Sequence, residues 1–376
     1  MRKQVERNLS HLPMTTKRAV LLMLLVVSCA RDRSGGMTFG AAGPWKEGYG
    51  AMNRRGIELA LEEINARPER SGAPLRIEFR DDEGSGQTAS RIAQQFVDAP
   101  DIVAVVGHVN SGAMVAAAQV YDGRLAAVAT TATSPALTGI SRWVFRVISS
   151  DSSNGAGIAK FASGLGRKRA AILYENNTYG RGLSDAFRRA FPGEVIGMDP
   201  IAEGKEQSFD AYVTYFKQTR PDVVFIAGTD GSGLAFLREA RRQHLEADMM
   251  GGDGWSGLSI DTLGSQGIYV GVPFTAEDPR PEAQKFVSAF SAKFNMRPDN
   301  NAALAYDATM VVYDAALRSG GDRRKLREAL ASLTESTAHH GVTGTIRFRP
   351  DGDPVAQSVV MTRIDKGVLR VARNGG

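Results

Sequence analysis

The chain has 376 residues, 43% hydrophobic and 23% charged, which excludes a disordered or fibrous protein and leaves room for two or three cores. A single cysteine excludes an internal disulfide and a cysteine-rich zinc site. The formal charge of +5 is concentrated at the start: residues 1–28 hold five basic side chains against Glu6, and the remaining residues keep a balance of +1, so the basic excess is no footprint for nucleic acid.

In chain order, Arg2, Lys3, Arg7, Lys17 and Arg18 precede the nine-residue apolar run Ala19–Val27. Nine residues are too few to span a bilayer as a helix, which takes ~20. A basic stretch followed by a short apolar run reads as an export signal. Met14 offers a second start, with a compact charged region in Met14–Arg18. The run ends Val26, Val27, Ser28, Cys29, Ala30, which resembles the lipobox of bacterial lipoproteins. That resemblance implies a signal over 1–28, a lipid on Cys29 as membrane anchor and a polar tether over 29–36; Ala30 after the cysteine, rather than Asp, permits sorting to the outer membrane in a Gram-negative cell.

From Met37 onward the pattern alternates between strand and helix. Ile57, Ala60, Leu61 and Ile64 mark one helical face in 52–66. Leu75–Phe79 alternates as a strand, Ile102–Val106 reads as a strand covered on both faces, and Leu125–Val128 is a short strand. A second series follows: a strand at 170–174, a helix at 181–191, a helical face through Phe209, Tyr212, Val213 and Phe216, a strand at 222–226, a helix at 233–243 and a strand at 268–272. Strands joined by crossover helices make parallel sheets, so the two series predict two doubly wound α/β lobes. Long helices are expected at 281–296 and 301–319, then a hairpin of 343–349 with 357–365 around the turn Pro350–Asp353.

Motifs for chemistry are mostly absent. There is no P-loop, no nucleophile elbow and no His-Glu-x-x-His. His339 and His340 read as a solvated loop, Asp351 and Asp353 as turn residues, and Asp81, Asp82 and Glu83 as a solvated strand end. Arg238, Arg241 and Arg242 share a helix with Glu239 and Glu246, a solvated face. No metal site or cofactor is expected. What remains are polar loops at the carboxyl ends of parallel strands, where open α/β sheets bind ligands. Gly107–Gly112 places Ser111 at a helix N-cap, and Thr130–Pro135 follows the next strand. Both can offer hydroxyls and backbone N–H groups to a carboxylate; Ser111 and Thr133 can equally be simple caps.

Several segments, in order, resemble one family: Gly43-Pro44 with Tyr49-Gly50, Glu62–Asn65, Val105–Ser111, Ala132–Thr138, Phe145-Arg146 with Asp151, Tyr179-Gly180, Gly251–Asp253, Ala305–Asp307 and Thr343-Gly344. Together they resemble the type I periplasmic binding proteins, specifically the Leu/Ile/Val-binding proteins of branched-chain amino-acid ABC transporters, over about 37–370. The resemblance implies two Rossmann-like lobes joined by a three-crossing hinge, with 37–151 plus 275–357 in the first lobe and 152–274 plus 358–376 in the second. It implies that Ser111 and Thr133 bind an amino-acid carboxylate, with Thr131 adding backbone contacts and Ala132 between them. Asp253 would pair with the α-ammonium, although close family members have Glu there. Tyr179 and Tyr49 would line the cleft, and Asp151 would stand at the first crossing. A family tyrosine is replaced near Thr229-Asp230, which makes Asp230 an alternative ammonium partner, and Trp45 and Phe274 are candidates to close the pocket.

The function implied is that of an extracytoplasmic binding lipoprotein that captures a small amino acid of branched-chain type or an analogue by hinge closure and delivers it to permease subunits. The alternative is a ligand-sensing receptor of the same fold for an amide or another small carboxylate or polar metabolite. An enzyme is not expected.

Overall fold

Two parallel sheets are built from the two alternating series. In the computed structural model, residues 36–68, 73–204, 208–261, 264–355 and 359–372 are described; the expected signal, Cys29 and the tether to residue 35 lie outside them. One unit takes in 37–70 and 75–376, and both sheets, the helices and the cavity described below belong to it.

The first series runs β1 (Thr38–Gly43), α1 (Gly48–Asn65), β2 (Arg76–Asp81), α2 (Gly86–Asp98), β3 (Ile102–Gly107), α3 (Ser111–Tyr121), β4 (Ala127–Ala129) and β5 (Val144–Arg146). Its five strands are all parallel, in the order β2-β1-β3-β4-β5. The second runs α4 (Asp151–Gly164), β6 (Arg169–Glu175), α5 (Thr178–Ala190), β7 (Glu194–Ile201), α6 (Asp210–Thr219), β8 (Val223–Ala227), α7 (Asp230–Arg242), β9 (Asp248–Gly251) and β10 (Tyr269–Val272). Then come α8 (Pro281–Phe294), α9 (Asn300–Ser319), α10 (Arg323–Ala331), β11 (His339–Gly341), β12 (Gly344–Ile346), β13 (Val360–Asp365) and β14 (Val368–Val371). The second sheet has the order β14-β13-β10-β9-β8-β6-β7, parallel except for the antiparallel β13 and β14. The chain therefore passes between the sheets three times: before β6, after β10 and before β13.

Side-chain alternation explains why each sheet is covered on both faces. In β8, Val224 and Ile226 enter one core, while Val223, Phe225 and Ala227 enter the core on the opposite face. A strand with two buried faces needs a continuous apolar run, which is the pattern of 222–226. Helix α9 packs on α1 and on the first sheet, where Leu304, Ala308 and Val311 join Phe39, Ile57 and Val106 in one core.

The expected pairing of 343–349 with 357–365 does not form among the described residues; around the turn Pro350–Asp353 the chain closes only an antiparallel bridge between Phe348 and Pro354. β12 pairs with β11, so His339–Gly341 is a short strand rather than a loop, and β13 pairs with β10 and β14. The turn itself is present: Arg349 N donates to Asp353 O at 2.8 Å. Gly352 packs its backbone against Val144 O, where a Cβ would approach to 2.2 Å, and has φ +83°. The turn thus docks on β5 and delivers Asp353 into the protein. Asp82 is also not solvated. It is fully buried, accepts from Gly84 N at 2.9 Å and meets His108 Nδ1 at 2.6 Å, while His108 Nε2 lies 3.0 Å from the Tyr121 hydroxyl. All three side chains are fully buried, so this chain of polar groups braces the Gly107–Ser111 loop, and none of the three belongs to the cavity lining.

Candidate functional site

Each sheet reverses its winding once, between β1 and β3 and between β6 and β8. Loops leaving the carboxyl ends of strands at such a point diverge and leave a crevice. The two crevices contribute to one cavity of ≈ 50 Å³ lined by Tyr49, Val109–Ser111, Thr131, Tyr179, Thr229, Asp253, Gly254 and Asn301. Val109–Ser111 follow β3, Thr131 follows β4, Thr229 follows β8 and Asp253 follows β9. Tyr49, Ser111, Tyr179 and Asn301 sit in the first turns of α1, α3, α5 and α9. The wall is therefore made largely of helix N-termini, which favour an anionic group.

The first turn of α3 is the clearest anion site. The helix begins at Ser111, so the N-cap position is Asn110 rather than Ser111 as expected. Asn110 makes no capping bond; its Nδ2 donates to the Tyr49 hydroxyl at 2.9 Å. The first N–H groups of α3 consequently remain for a ligand. Ser111 Oγ accepts from Ser134 N at 3.2 Å, which leaves its own proton to donate. Thr131 differs: its hydroxyl donates to Val109 O at 3.2 Å and is spent within the wall.

Opposite stands Asp253, 6% exposed. Its Oδ1 accepts from the Tyr179 hydroxyl at 3.0 Å, and that hydroxyl accepts from Gly254 N at 3.2 Å. The Tyr179 hydroxyl thereby spends its proton on Oδ1, and Oδ2 of Asp253 meets no side-chain hydrogen-bond donor among the described residues. Burial pushes the Asp253 carboxyl up to about 6, opposed by the bonds from Tyr179 and the backbone. Asp151 is fully buried behind it. Burial, and then the neighbouring Asp253 charge, raise the Asp151 carboxyl well above the usual range, while Thr133, Arg146 and Asn154 oppose the shift. Thr133 lies close enough to ease the Asp151 charge; its hydroxyl is buried without a well-formed hydrogen bond, and the residue is not part of the cavity lining. Two crowded carboxylates with no lysine, arginine or histidine in the lining attract a cationic group.

The remaining expected residues lie outside the lining. Ala132 is buried in the core of the first sheet. Trp45 packs edge-on against Phe79 at 5.7 Å between ring centroids, and Phe274 packs against Phe286 at 6.0 Å. Both rings pack against apolar neighbours, and neither is part of the cavity lining. Asp230 opens α7 and lies against Gly257, where a Cβ would meet its Oδ2 at 2.2 Å. Asn110, Asn301, Val109 and Gly254 line the cavity although residue type alone did not single them out. Asn301 carried a usable signal, since Asp299 caps α9 through Ala302 N at 3.0 Å and so points that helix start at the ligand loops.

Two residues outside the lining hold it in place. Glu175, 1% exposed, accepts from Thr229 N at 3.0 Å, Thr229 Oγ1 at 2.8 Å and Ser232 Oγ at 2.8 Å. Arg146, 2% exposed, donates to Thr133 O at 2.8 Å, Ser134 O at 2.9 Å, Thr138 Oγ1 at 2.8 Å and Asp353 Oδ1 at 2.7 Å. Across the mouth, Gly182 of α5 faces the Ser134-Pro135 turn, and a Cβ there would stand 2.7 Å from Pro135 Cδ.

Two doubly wound α/β sheets, linked by three passages and sharing one polar cavity at their switch points, define a two-lobed binding fold. The chain belongs to the periplasmic binding protein family, whose sequence pattern matches residues 36–368. It is 30% identical over 348 residues to the amino acid binding protein of Pseudomonas aeruginosa, covering 88% of this chain and 91% of that one. It is 29% identical over 317 residues to the leucine-, isoleucine-, valine-, threonine- and alanine-binding protein of the same organism, covering 81% and 83%. An ABC transporter substrate-binding protein from Desulfitobacterium hafniense in complex with Leu has 28% identity and a TM-score of 0.78, with 90% of this chain and 100% of that one covered.

Proposed function

We propose that the protein is the extracytoplasmic substrate-binding component of an ABC transporter and captures a compact α-amino acid, of branched-chain type or a close analogue. The single observation behind this reading is the pairing of an uncapped helix N-terminus and a free Ser111 proton with an open carboxylate oxygen on Asp253 across one small cavity. An amino-acid zwitterion needs donors for its carboxylate and an acid for its ammonium. Charge-assisted bonds of this kind contribute about 1.5–3 kcal/mol each when buried. Amino-acid binding by the relatives supports the reading. In it, residues 37–151 with 275–357 and residues 152–274 with 358–376 form lobes that close on the ligand, Cys29 is the lipid anchor, and permease subunits receive the cargo.

Calorimetry on ligand-stripped protein tests the reading. At least one α-amino acid is expected to bind with a Kd of micromolar or below, while the matching amine and the matching carboxylic acid each bind at least about 100-fold more weakly. Absence of heat from every α-amino acid overturns it. Closure has its own test. Gly182→Leu puts a side chain where Pro135 stands in this structure, outside the cavity lining, and in this reading it opposes closure. It is expected to weaken the best amino acid about tenfold or more and to leave the denaturation midpoint of the free protein within ~0.5 kcal/mol.

A further inference from the structure

We infer that the end of the cavity holding the ligand's side chain selects a small hydroxyl- or carboxamide-bearing amino acid over an aliphatic one of the same shape. The inference rests on the amino-acid reading above and narrows it. Once Ser111, Thr131, Asp253, Tyr179 and Gly254 are assigned to the two charged ends, the lining that remains is Tyr49, Val109, Asn110, Thr229 and Asn301. Val109 is the sole aliphatic side chain among them. The large apolar rings that could build a greasy pocket, Trp45 and Phe274, are committed to Phe79 and Phe286.

Hydrogen-bond accounting gives each remaining polar group a sign. Thr229 Oγ1 spends its proton on Glu175 at 2.8 Å, so toward a ligand it only accepts. Asn301 Nδ2 spends its donors on Ser256 Oγ and Asp299 Oδ2, both at 3.0 Å, which leaves its carbonyl oxygen as an acceptor. The Tyr49 hydroxyl accepts from Asn110, and its own proton meets no acceptor among the described residues. Burial pushes that phenol up, so it stays protonated and donates. Asn110 Oδ1, buried without a hydrogen-bond partner, adds a third acceptor, so three acceptors and one donor belong to the lining of this cavity of ≈ 50 Å³. A hydroxyl or a carboxamide can donate and accept at once. A methyl group can do neither, and it leaves these polar groups without a partner.

Threonine and valine have the same shape and differ by one hydroxyl for one methyl, which makes them the sharpest probes. Calorimetry on the stripped full-length protein with threonine, serine, asparagine, valine, isoleucine and leucine is expected to show threonine binding at least about tenfold tighter than valine, because a site built for a hydroxyl rejects the analogue lacking it. Valine, isoleucine or leucine binding as tightly as threonine overturns this inference while the amino-acid reading stands. Silence from all six, together with silence from every other α-amino acid, overturns the reading beneath it.

Discussion

Asp253→Asn is expected to cost the protein its ligand and to make the free protein more stable. The two effects have one cause. The Asp253 carboxylate is buried beside Asp151 with a tyrosine hydroxyl on one oxygen, so its negative charge is well placed for an ammonium and poorly placed without one. Removing one partner of a buried charge pair costs about 2–5 kcal/mol. Affinity for the best amino acid should therefore fall by about 100-fold or more, read by calorimetry at pH 7.5. For stability the sign runs the other way. An acid whose pKa is higher in the folded protein than in the unfolded chain binds its proton more tightly when folded. Its contribution is complete below the unfolded value near 3.9 and is lost as pH rises through about 6. At pH 7.5 the wild type has lost that contribution, on the order of 3 kcal/mol. The neutral amide never loses it. Urea midpoints should accordingly show the variant more stable at pH 7.5, with a flatter profile between pH 4 and 6. Wild-type affinity should also drop as pH falls below about 6, because the ammonium then competes with a proton on Asp253. A variant that binds normally, or one destabilised at pH 7.5, would show that Asp253 has a scaffold role.

Arg146→Ala should produce the largest loss of stability, about 3–5 kcal/mol in urea unfolding. The guanidinium is buried and bonds at once to two carbonyls of the Thr130–Pro135 loop, to Thr138 and to Asp353. Its removal strands the Asp353 carboxylate, 3% exposed, with only Thr138 at 2.9 Å and Arg349 at 3.0 Å. Pairing the change with Asp353→Asn removes the stranded charge, so the double variant should be distinctly more stable than the sum of the two single losses. Strict additivity in that cycle would mean the two side chains do not act together. The loop that Arg146 pins also carries Ser134, whose N–H sets the Ser111 hydroxyl. Ligand affinity should therefore weaken in Arg146→Ala even though the cavity lining is intact.

Much of this protein was legible along the chain. Apolar runs such as 102–106 and 222–226 belong to strands with two covered faces, and the 3.6-residue spacing of Ile57, Ala60, Leu61 and Ile64 belongs to a helix with one. These patterns are local because a strand or helix buries its own neighbours in sequence, and the alternation they spell implies parallel sheets with ligand loops at the strand ends. Ser111 and the Thr130–Pro135 loop were accessible on that basis; Thr131, Tyr179 and Asp253 were singled out only by resemblance. Strands β1 and β9 were not, since Thr38–Gly43 is rich in small residues and Asp248–Gly251 is only four long. Their strand state comes from the neighbours that pair with them.

Tertiary structure alone decided the partners. Asp353 sits in what the sequence presents as an ordinary turn, yet it meets Arg146 from 207 positions away. Asp82 looks like a solvated strand end until His108 arrives beside it. Trp45 and Phe274 have the composition of pocket walls, but they pack against Phe79 and Phe286 and lie outside the cavity lining. Asn110 has the residue type of a helix cap, and only the approach of Tyr49 takes its amide away and leaves the α3 terminus open for a ligand. Periodicity records which face of an element is buried, while the identity of what lies against that face depends on chain segments hundreds of residues apart. The elements were therefore readable from the sequence, and the chemistry of the cavity required the fold.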